Sequence, residues 1–261
     1  MSNVCETSHS EISHSLRSCR NDNKMKLKIC GMKYNTPEVA ILQPDYLGFI
    51  FYDKSPRNFQ GNISEIDTSI KKVGVFVDED IEIVINHIKT YQLNAVQLHG
   101  NETVEYCQEL KKMCHSEFIS KSRDDMLNQH FDRLIVTVQH DNKIEIIKVF
   151  SIKNEFDFNS LKPYEDVVDY FLFDTKGELP GGNGYTFDWS VLNDYPSTTP
   201  YFLSGGIGID EIEKLKTFKE SSASKFCYAL DVNSKFEIEP GLKNISELEK
   251  FKKEICHVER M

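Results

Sequence analysis

The sequence lacks a long hydrophobic run, a surplus of basic residues and a paired cysteine motif. No stretch of its 261 residues reaches 18 consecutive apolar positions, so the sequence predicts no transmembrane helix. Lysine and arginine total 31 against 41 acidic residues, and no basic stripe offsets the formal net charge of −10. Because proteins that bind nucleic-acid backbones need concentrated positive charge, we expect no nucleic-acid partner.

The seven cysteines show no spacing that is typical of a metal site. None forms a Cys-x-x-Cys pair or a Cys/His quartet, so the sequence predicts no structural zinc site. The N-terminal 24 residues contain six serines and no apolar core of a secretory signal. We therefore expect residues 1–25 to be a disordered extension of a cytoplasmic protein whose thiols stay reduced.

From residue 26 onward, short β-prone runs alternate with helical stretches. Eight runs rich in branched and aromatic residues predict strands at 27–31, 46–51, 72–77, 95–98, 144–150, 167–173, 201–203 and 226–230. The segments between and after them predict one helix that starts at 37 and further helices at 81–90, 102–113, 157–165, 188–194, 210–219 and 245–256.

This alternation predicts the fold class. Strands that are apolar on both faces and separated by helices form parallel sheets through right-handed βαβ units. Eight such units favour a single-domain α/β fold, a (β/α)8 TIM barrel over 26–257, with an open doubly wound sheet as the alternative.

One stretch interrupts the alternation. The 28 residues 116–143 separate the helix predicted at 102–113 from the fifth strand, where about two to six usually suffice. We interpret them as an insertion at the amino-terminal face of the strands, away from the chemistry. Its β-prone part, 133–138, could form a small hairpin with 144–149.

Polar residues directly follow several of the predicted strands. In chain order they are Cys30, Arg57, Asp78, His99, Asp174, Asp231, Asn233 and Ser234. Singly, each has an ordinary explanation, since most strand cysteines are small core residues and most aspartates after strands cap helices or turns. In a barrel, however, the carboxyl ends of all strands meet on the face that carries catalytic groups. The sequence therefore predicts a site that these residues share.

Two glycine-rich loops follow strands six and seven, at 181–184 and 204–206. The first has the composition of a flexible turn. In the second, Gly205 and Gly206 precede a predicted helix, and glycine lets backbone N–H groups approach an anion there. Because the loops after strands seven and eight of barrels frequently bind phosphate, the sequence predicts a phosphate site at this loop.

An ordered series of segments carries a resemblance to a known family. The segments are 28–31, 45–51 with 55–57, 73–76, 96–100, 173–174, 181–184 with 187–189, 203–207, and 231–234 with 239–241. Together they resemble the phosphoribosylanthranilate isomerase family over 26–257, with 116–143 excluded. The ordered set is specific, whereas any single segment would be weak.

The resemblance implies an Amadori rearrangement of N-(5-phosphoribosyl)anthranilate in tryptophan biosynthesis, without cofactor or metal. It implies that Cys30 is the general base and Asp174 the general acid. A carboxyl group whose pKa is raised by burial can protonate the ribose ring oxygen. A thiol, whose ordinary pKa is about 8.5, needs only a modest lowering of that pKa to remove the C2 proton as a thiolate.

The resemblance also implies how the phosphorylated substrate is bound. Arg57 would hold the anthranilate carboxylate through paired donors. The other implied substrate-binding residues are His99, Gly182, Gly184, Gly205, Gly206, Asp231, Asn233 and Ser234. The chain departs from the family pattern at Lys235, where a glycine is usual, at Asn244, where an aspartate is usual, and at Asn183, where a threonine is usual.

Two other functions remain as alternatives. The sugar isomerase of histidine biosynthesis performs the same rearrangement, but that family tends to place a carboxylate where this chain has Cys30. A barrel that only binds a phosphorylated ligand would have no use for the Cys30 and Asp174 pair. The sequence leaves open whether the protein is a monomer or a homodimer.

Overall fold

A closed barrel of eight parallel strands forms the centre of the protein. The computed structural model describes residues 25–63, 65–114, 143–153, 155–175 and 186–258. In barrel order the strands are β1 Lys26–Ile29, β2 Tyr46–Ile50, β3 Lys71–Phe76, β4 Ala95–Leu98, β5 Glu145–Ile152, β6 Tyr170–Thr175, β7 Tyr201–Leu203 and β8 Cys227–Val232. The pairing of β1 with β8, from Lys26↔Ala229 to Ile29↔Val232, closes the barrel. The predicted TIM barrel is therefore confirmed, and an open sheet is excluded.

Helices surround the strands. They are α1 Thr36–Ile41, α2 Ile81–Tyr91, α3 at 104–114, α4 Ile212–Glu220 and α5 Ile245–Val258. Asn244 precedes α5, and its side chain accepts a hydrogen bond from the Glu247 N–H at 3.3 Å, so the asparagine caps this helix as an aspartate would. None of the described helices has the length and apolar character that a membrane span requires.

Two predicted helices are shorter and more tightly wound than their spacing indicates. The segments predicted at 157–165 and 188–194 form the 3-10 helices Phe158–Tyr164 and Trp189–Asp194. The first contains Pro163, which cannot donate a backbone hydrogen bond and so favours a short element. After β8 the chain adds an unpredicted antiparallel hairpin, β9 Glu237–Glu239 and β10 Leu242–Lys243.

The barrel interior is apolar in its middle and charged near its ends. Side chains from alternate strand positions fill the middle: Tyr46, Val73, Ala95, Ile147, Val149, Leu172, Phe202 and Ala229. At the amino-terminal end, the Tyr46 hydroxyl donates to Glu145 at 3.2 Å. At the carboxyl-terminal end, the buried polar residues are Lys28, Gln97 and Asp231. The apolar middle thus separates Lys28, Gln97 and Asp231, which lie near the candidate site, from the polar groups at the amino-terminal end.

A buried ion pair fixes the loops after β3 and β4. Lys148 Nζ lies 3.0 Å from Glu102 Oε2 and donates to the Gly100 carbonyl at 2.8 Å. Glu102 in turn accepts hydrogen bonds from the N–H groups of Asp78 and Gly100. Because breaking such a buried pair leaves an uncompensated charge, these loops are held firmly beside His99.

Two predictions fall on segments that lie outside the described residues. They are the disordered extension, of which 1–24 are not described, and the insertion, of which 116–142 are not described. Both remain predictions. The hairpin expected between 133–138 and 144–149 is wrong, because residues 145–149 belong to β5, which pairs in parallel with β4 on one edge and with β6 on the other.

Candidate active site

A cavity opens at the carboxyl ends of the strands, and most of the predicted site residues line it. From the prediction, these are Cys30, Arg57, His99, Asp174, Gly205, Gly206, Asp231, Asn233 and Ser234, and Gln97 and Lys235 line it as well. Asp78 does not line this cavity. Gly182 and Gly184 lie outside the described residues. The structure therefore brings together residues from six of the eight strand ends, as the barrel topology requires.

Cys30 is held between two neighbouring strands. Its N–H donates at 2.9 Å to the carbonyl of Val232, the last residue of β8, which continues the β1–β8 ladder. On the other side its thiol packs against Gly48 of β2, where an added Cβ would lie only 2.8 Å from Sγ. Gly48 therefore provides the space for the thiol, and a larger residue there would displace it.

The electrostatic surroundings of Cys30 correct one expectation from the sequence. The thiol is buried, and burial raises its pKa above the ordinary value. Lys28 and Lys243 act to lower this pKa, Asp231 acts to raise it, and the net direction is upward. The modest lowering of the pKa expected for a thiolate base is therefore absent from the free protein, because the loss of solvent on burial outweighs the two nearby lysines.

Asp174 is fixed through both of its oxygens. Oδ1 accepts a hydrogen bond from the Thr175 N–H at 3.0 Å, and Oδ2 lies 3.5 Å from His99 Nε2. The Gln97 amide Nε2 lies 3.3 Å from His99 Nδ1. If the Gln97 nitrogen donates to Nδ1, the neutral ring carries its proton on Nε2, which faces Asp174. His99 thus lies between the Gln97 amide and the Asp174 carboxyl group.

Arg57 does not stand alone at the cavity wall. Its Nε donates to both oxygens of Glu237 at 2.9 Å, and its Nη2 donates to Oε2 at 2.6 Å. Lys243 Nζ binds the same carboxylate at 2.8 Å. Although burial acts to raise the pKa of Glu237, hydrogen bonds from the two cations hold that pKa below its usual range. Two cations and one carboxylate leave net positive charge at this wall.

The glycine loop after β7 is shaped for close approach to an anion. Gly205 and Gly206 have φ angles of +90° and +70°, a region that favours glycine. A Cβ at Gly205 would lie 2.1 Å from Thr175 Oγ1, so this loop packs directly against the end of β6. Within the described residues, the N–H groups of Gly205 and Gly206 donate to no protein acceptor. They are available to a phosphate group.

The loop after β8 completes this end of the cavity. Ser234 opens the short 3-10 helix Ser234–Phe236, and Lys235, where the family pattern has glycine, also lines the cavity. The Asn233 side-chain oxygen accepts a hydrogen bond from Lys243 Nζ at 2.7 Å. Asn233 is therefore tied to the Arg57 network, and its oxygen is already engaged by protein.

Asp231 faces a lysine in the barrel interior. Its Oδ2 lies 2.9 Å from Lys28 Nζ, and both side chains are almost completely buried. Among the described residues, no group donates a hydrogen bond to its Oδ1. Burial raises the pKa of Asp231, while the ammonium of Lys28 acts to lower it.

Sequence reasoning missed several polar residues in or beside the cavity, among them Lys28, Gln97, Glu237 and Lys243. Lys28 stands two positions before Cys30, and Gln97 stands two positions before His99. Since side chains two apart on a strand point to the same face, strand periodicity could have found both. Glu237 and Lys243 come from the hairpin, and no sequence signal places them against Arg57.

Comparison with known proteins extends over the whole barrel. The chain matches the family model described as N-(5'phosphoribosyl)anthranilate (PRA) isomerase at residues 27–138 and 132–254. A curated relative from Parabacteroides distasonis, N-(5'-phosphoribosyl)anthranilate isomerase, is 39% identical over 242 residues, which cover 89% of this chain and 94% of the relative.

Solved structures share the architecture. Phosphoribosyl anthranilate isomerase from Thermotoga maritima has a TM-score of 0.66 and 28% identity, covering 89% of this chain and 99% of that chain. A phosphoribosyl anthranilate isomerase in complex with reduced 1-(o-carboxyphenylamino)-1-deoxyribulose 5-phosphate has a TM-score of 0.61 and 26% identity, with coverage of 89% and 99%. Apart from Lys26, the first residue of β1, all eight strands whose ends surround the cavity fall within the matched residues.

Proposed function

The chain belongs to the N-(5'-phosphoribosyl)anthranilate isomerase family, and we propose that Cys30 and Asp174 perform the proton transfers of its reaction. The protein is an isomerase of tryptophan biosynthesis, with N-(5-phosphoribosyl)anthranilate as its phosphorylated substrate. The observation that supports these roles best is the convergence of Cys30 and Asp174 on one cavity. Cys30 directly follows β1 and Asp174 lies near the carboxyl end of β6; these strands are not neighbours in the barrel, so the two groups approach a bound sugar from different sides.

The first step opens the ribose ring. Asp174 in its acid form donates a proton to the ring oxygen, the C1–O bond breaks, and a protonated Schiff base forms between C1 and the anthranilate nitrogen. The Asp174 carboxylate that results lies beside the Nε2 proton of His99. His99 therefore acts as a hydrogen-bond donor to the charge that develops on Asp174.

The second step moves hydrogen from C2. Cys30 as a thiolate removes the C2 proton, and the electron pair neutralises the Schiff base to give an enolamine. The enolamine then gains a proton at C1 and loses one from the C2 hydroxyl, which leaves the ketone. Each proton transfer of this kind contributes about 10²–10⁴-fold to the rate.

The two anionic ends of the substrate match the two positive regions of the cavity. We infer that the phosphate binds the free N–H groups of Gly205 and Gly206 with Ser234, and that the anthranilate carboxylate binds Arg57. Glu237 occupies Nε and part of Nη2, so Nη1 remains available for the substrate. In the same proposal, the sugar between these two ends is contacted by His99, Asp231, Asn233, Gly182 and Gly184.

A substitution at Arg57 tests the carboxylate assignment. We expect Arg57→Ala to raise the KM for the substrate about 10- to 100-fold, because a hydrogen bond to a charged group contributes about 1.5–3 kcal/mol. For an analogue that carries aniline in place of anthranilate, the same substitution is expected to change KM less than threefold. Steady-state kinetics with both compounds measure the difference, and Arg57→Lys, which keeps the charge, should lie between wild type and Arg57→Ala. An equal loss for both compounds would contradict the assignment.

Genetic complementation tests the activity as a whole. We expect the chain to restore growth without tryptophan to a bacterial auxotroph that lacks this isomerase. The double variant Cys30→Ala/Asp174→Asn, produced at the same level, should not restore growth. A histidine auxotroph that lacks the corresponding sugar isomerase serves as the control for the alternative activity. Failure of the folded wild-type protein to complement the tryptophan strain would overturn the proposal.

We further propose that the protein acts in the cytoplasm as a monomer or a homodimer. A cysteine base requires a reduced thiol, which a cytosol maintains, and Cys30 is a free thiol in the structure. Both oligomeric states have a parallel among the relatives, since one solved structure is described as monomers generated from the dimeric enzyme of Thermotoga maritima.

A further inference from the structure

Lys28 is a buried cation that the proton transfers described above do not use. Its side chain is completely buried, at 0% exposure, on the inward face of β1 two positions before Cys30. The β1–β8 register sets it directly opposite Asp231, and its Nζ lies 2.9 Å from Asp231 Oδ2. Burying a lysine costs several kcal/mol unless its charge is compensated, so this position calls for an explanation.

The geometry of the pair is not that of an optimised structural salt bridge. Lys28 Nζ contacts Asp231 Oδ2 at 2.9 Å, and an ammonium group has three N–H donors for this one carboxylate oxygen. Asp231 Oδ1 is also without a hydrogen-bond donor in the described chain. By contrast, the Lys148–Glu102 pair beside β4 is surrounded by hydrogen bonds to backbone. The Lys28 ammonium therefore keeps hydrogen-bonding capacity for a neighbour.

Cys30 provides that neighbour, because it lies two residues beyond Lys28 on the same face of the strand and its N–H continues the β1–β8 ladder by donating to the Val232 carbonyl at 2.9 Å. The charged groups that act on its thiol are Lys28 on β1, Asp231 on β8 and Lys243 on β10. Of these, Lys28 has the strongest effect, and it opposes the rise in the Cys30 pKa that burial causes. Burial acts to lower the pKa of Lys28, but Asp231 and Cys30 together raise it, so Lys28 stays protonated in the range where the enzyme works.

We propose that Lys28 is a positioning residue whose buried ammonium stabilises the thiolate form of Cys30, while Asp231 holds that ammonium in place. This inference rests on the proposed role of Cys30 as the base. The thiol releases its proton to water in the cavity, and the negative charge left on sulfur lies beside Lys28. The thiolate then accepts the C2 proton of the substrate and becomes a thiol again. Asp231 thus acts through Lys28 as well as at the cavity surface.

The pH dependence of Cys30 alkylation tests the proposal directly. Iodoacetamide reacts with thiolates, and mass spectrometry of the Cys30 peptide separates this thiol from the other cysteines. In wild type we expect the rate to keep rising above pH 9, where the thiol of glutathione levels off. In Lys28→Met we expect the curve of rate against pH to shift to higher pH by at least about one unit. At pH 8 this shift corresponds to a rate about tenfold lower than that of wild type. Lys28→Arg, which keeps the charge, should stay within threefold of wild type.

Two further variants separate this role from a structural one. Lys28→Met/Asp231→Asn removes both buried charges, so it remains testable if the single variant fails to fold. Its alkylation curve should still be shifted to higher pH than that of wild type, because Lys28 acts on the pKa of Cys30 more strongly than Asp231 does. The matched control is Lys72→Met, which removes a partly exposed lysine of β3 and should leave the curve unchanged.

The outcomes are distinct. If folded Lys28→Met, or the folded double variant, alkylates at Cys30 with the wild-type pH curve, Lys28 only supports the fold and the proposal is overturned. Because alkylation does not depend on turnover, this result is separate from a failure of the Cys30 base assignment. That failure would appear as normal turnover in a protein that lacks the Cys30 thiol.

Discussion

Replacing Asp174 with asparagine is expected to lower kcat at least a hundredfold while the barrel stays folded. An amide cannot supply the acidic proton that ring opening needs, and general acid catalysis contributes about 10²–10⁴-fold. The asparagine oxygen can still accept the Thr175 N–H bond, which the Asp174 Oδ1 accepts at 3.0 Å, so the local backbone should be unchanged. Steady-state turnover at saturating substrate measures the effect.

Two companion measurements identify the loss as chemical. Affinity for the reduced product analogue should remain within about threefold of wild type, since the phosphate and carboxylate contacts are intact. Glu239→Gln, which changes an exposed carboxyl group on the neighbouring hairpin, should turn over at the wild-type rate. If folded Asp174→Asn retains more than a tenth of wild-type kcat, Asp174 is not the general acid.

Replacing Cys30 is expected to have an effect of similar size. Cys30→Ala removes the proposed base altogether, and Cys30→Ser replaces it with a hydroxyl group that ionises far less readily than a thiol. Both should lower kcat at least a hundredfold. Because serine nearly matches cysteine in size, Cys30→Ser preserves the packing against Gly48 and separates chemistry from packing.

The control for this prediction is another buried thiol. Cys107 lies on α3 in the outer core, and burial raises its pKa to about 11. Cys107→Ala should therefore leave kcat unchanged, although it removes a thiol of comparable burial. Wild-type turnover in both Cys30 variants would show that a group other than Cys30 removes the C2 proton.

The main features of the fold are predictable from the sequence because parallel barrels have few alternatives. Most strand residues are apolar on both faces, as in Phe171 to Phe173 of β6, and this pattern occurs where helices cover a sheet. Strand ends then place Cys30, His99 and Asp174 on one face without any knowledge of side-chain contacts. The structure confirms this arrangement at each of these three residues.

What the sequence could not predict depends on contacts between distant segments. The carboxylate that binds Arg57 comes from Glu237, 180 positions further along the chain. The upward pKa of Cys30 results from burial between β2 and β8, which a motif does not encode. The α-helical and 3-10 forms of a seven-residue segment such as Phe158–Tyr164 share nearly the same spacing, so only packing separates them.

The closing pair of strands also determines when an active enzyme can exist. Lys28 and Cys30 leave the ribosome well before Asp231, Ser234 and Glu237 do. The β1–β8 ladder joins these two distant segments of the polypeptide, and the wall of the cavity beside Cys30 forms only when that ladder does. A nascent chain that stops before β8 therefore contains Cys30, the proposed base, but lacks Asp231, the ion-pair partner of Lys28, and Ser234 of the proposed phosphate site. The active site is complete only once β8 has paired with β1, so truncated products of translation that lack β8 are expected to be inert.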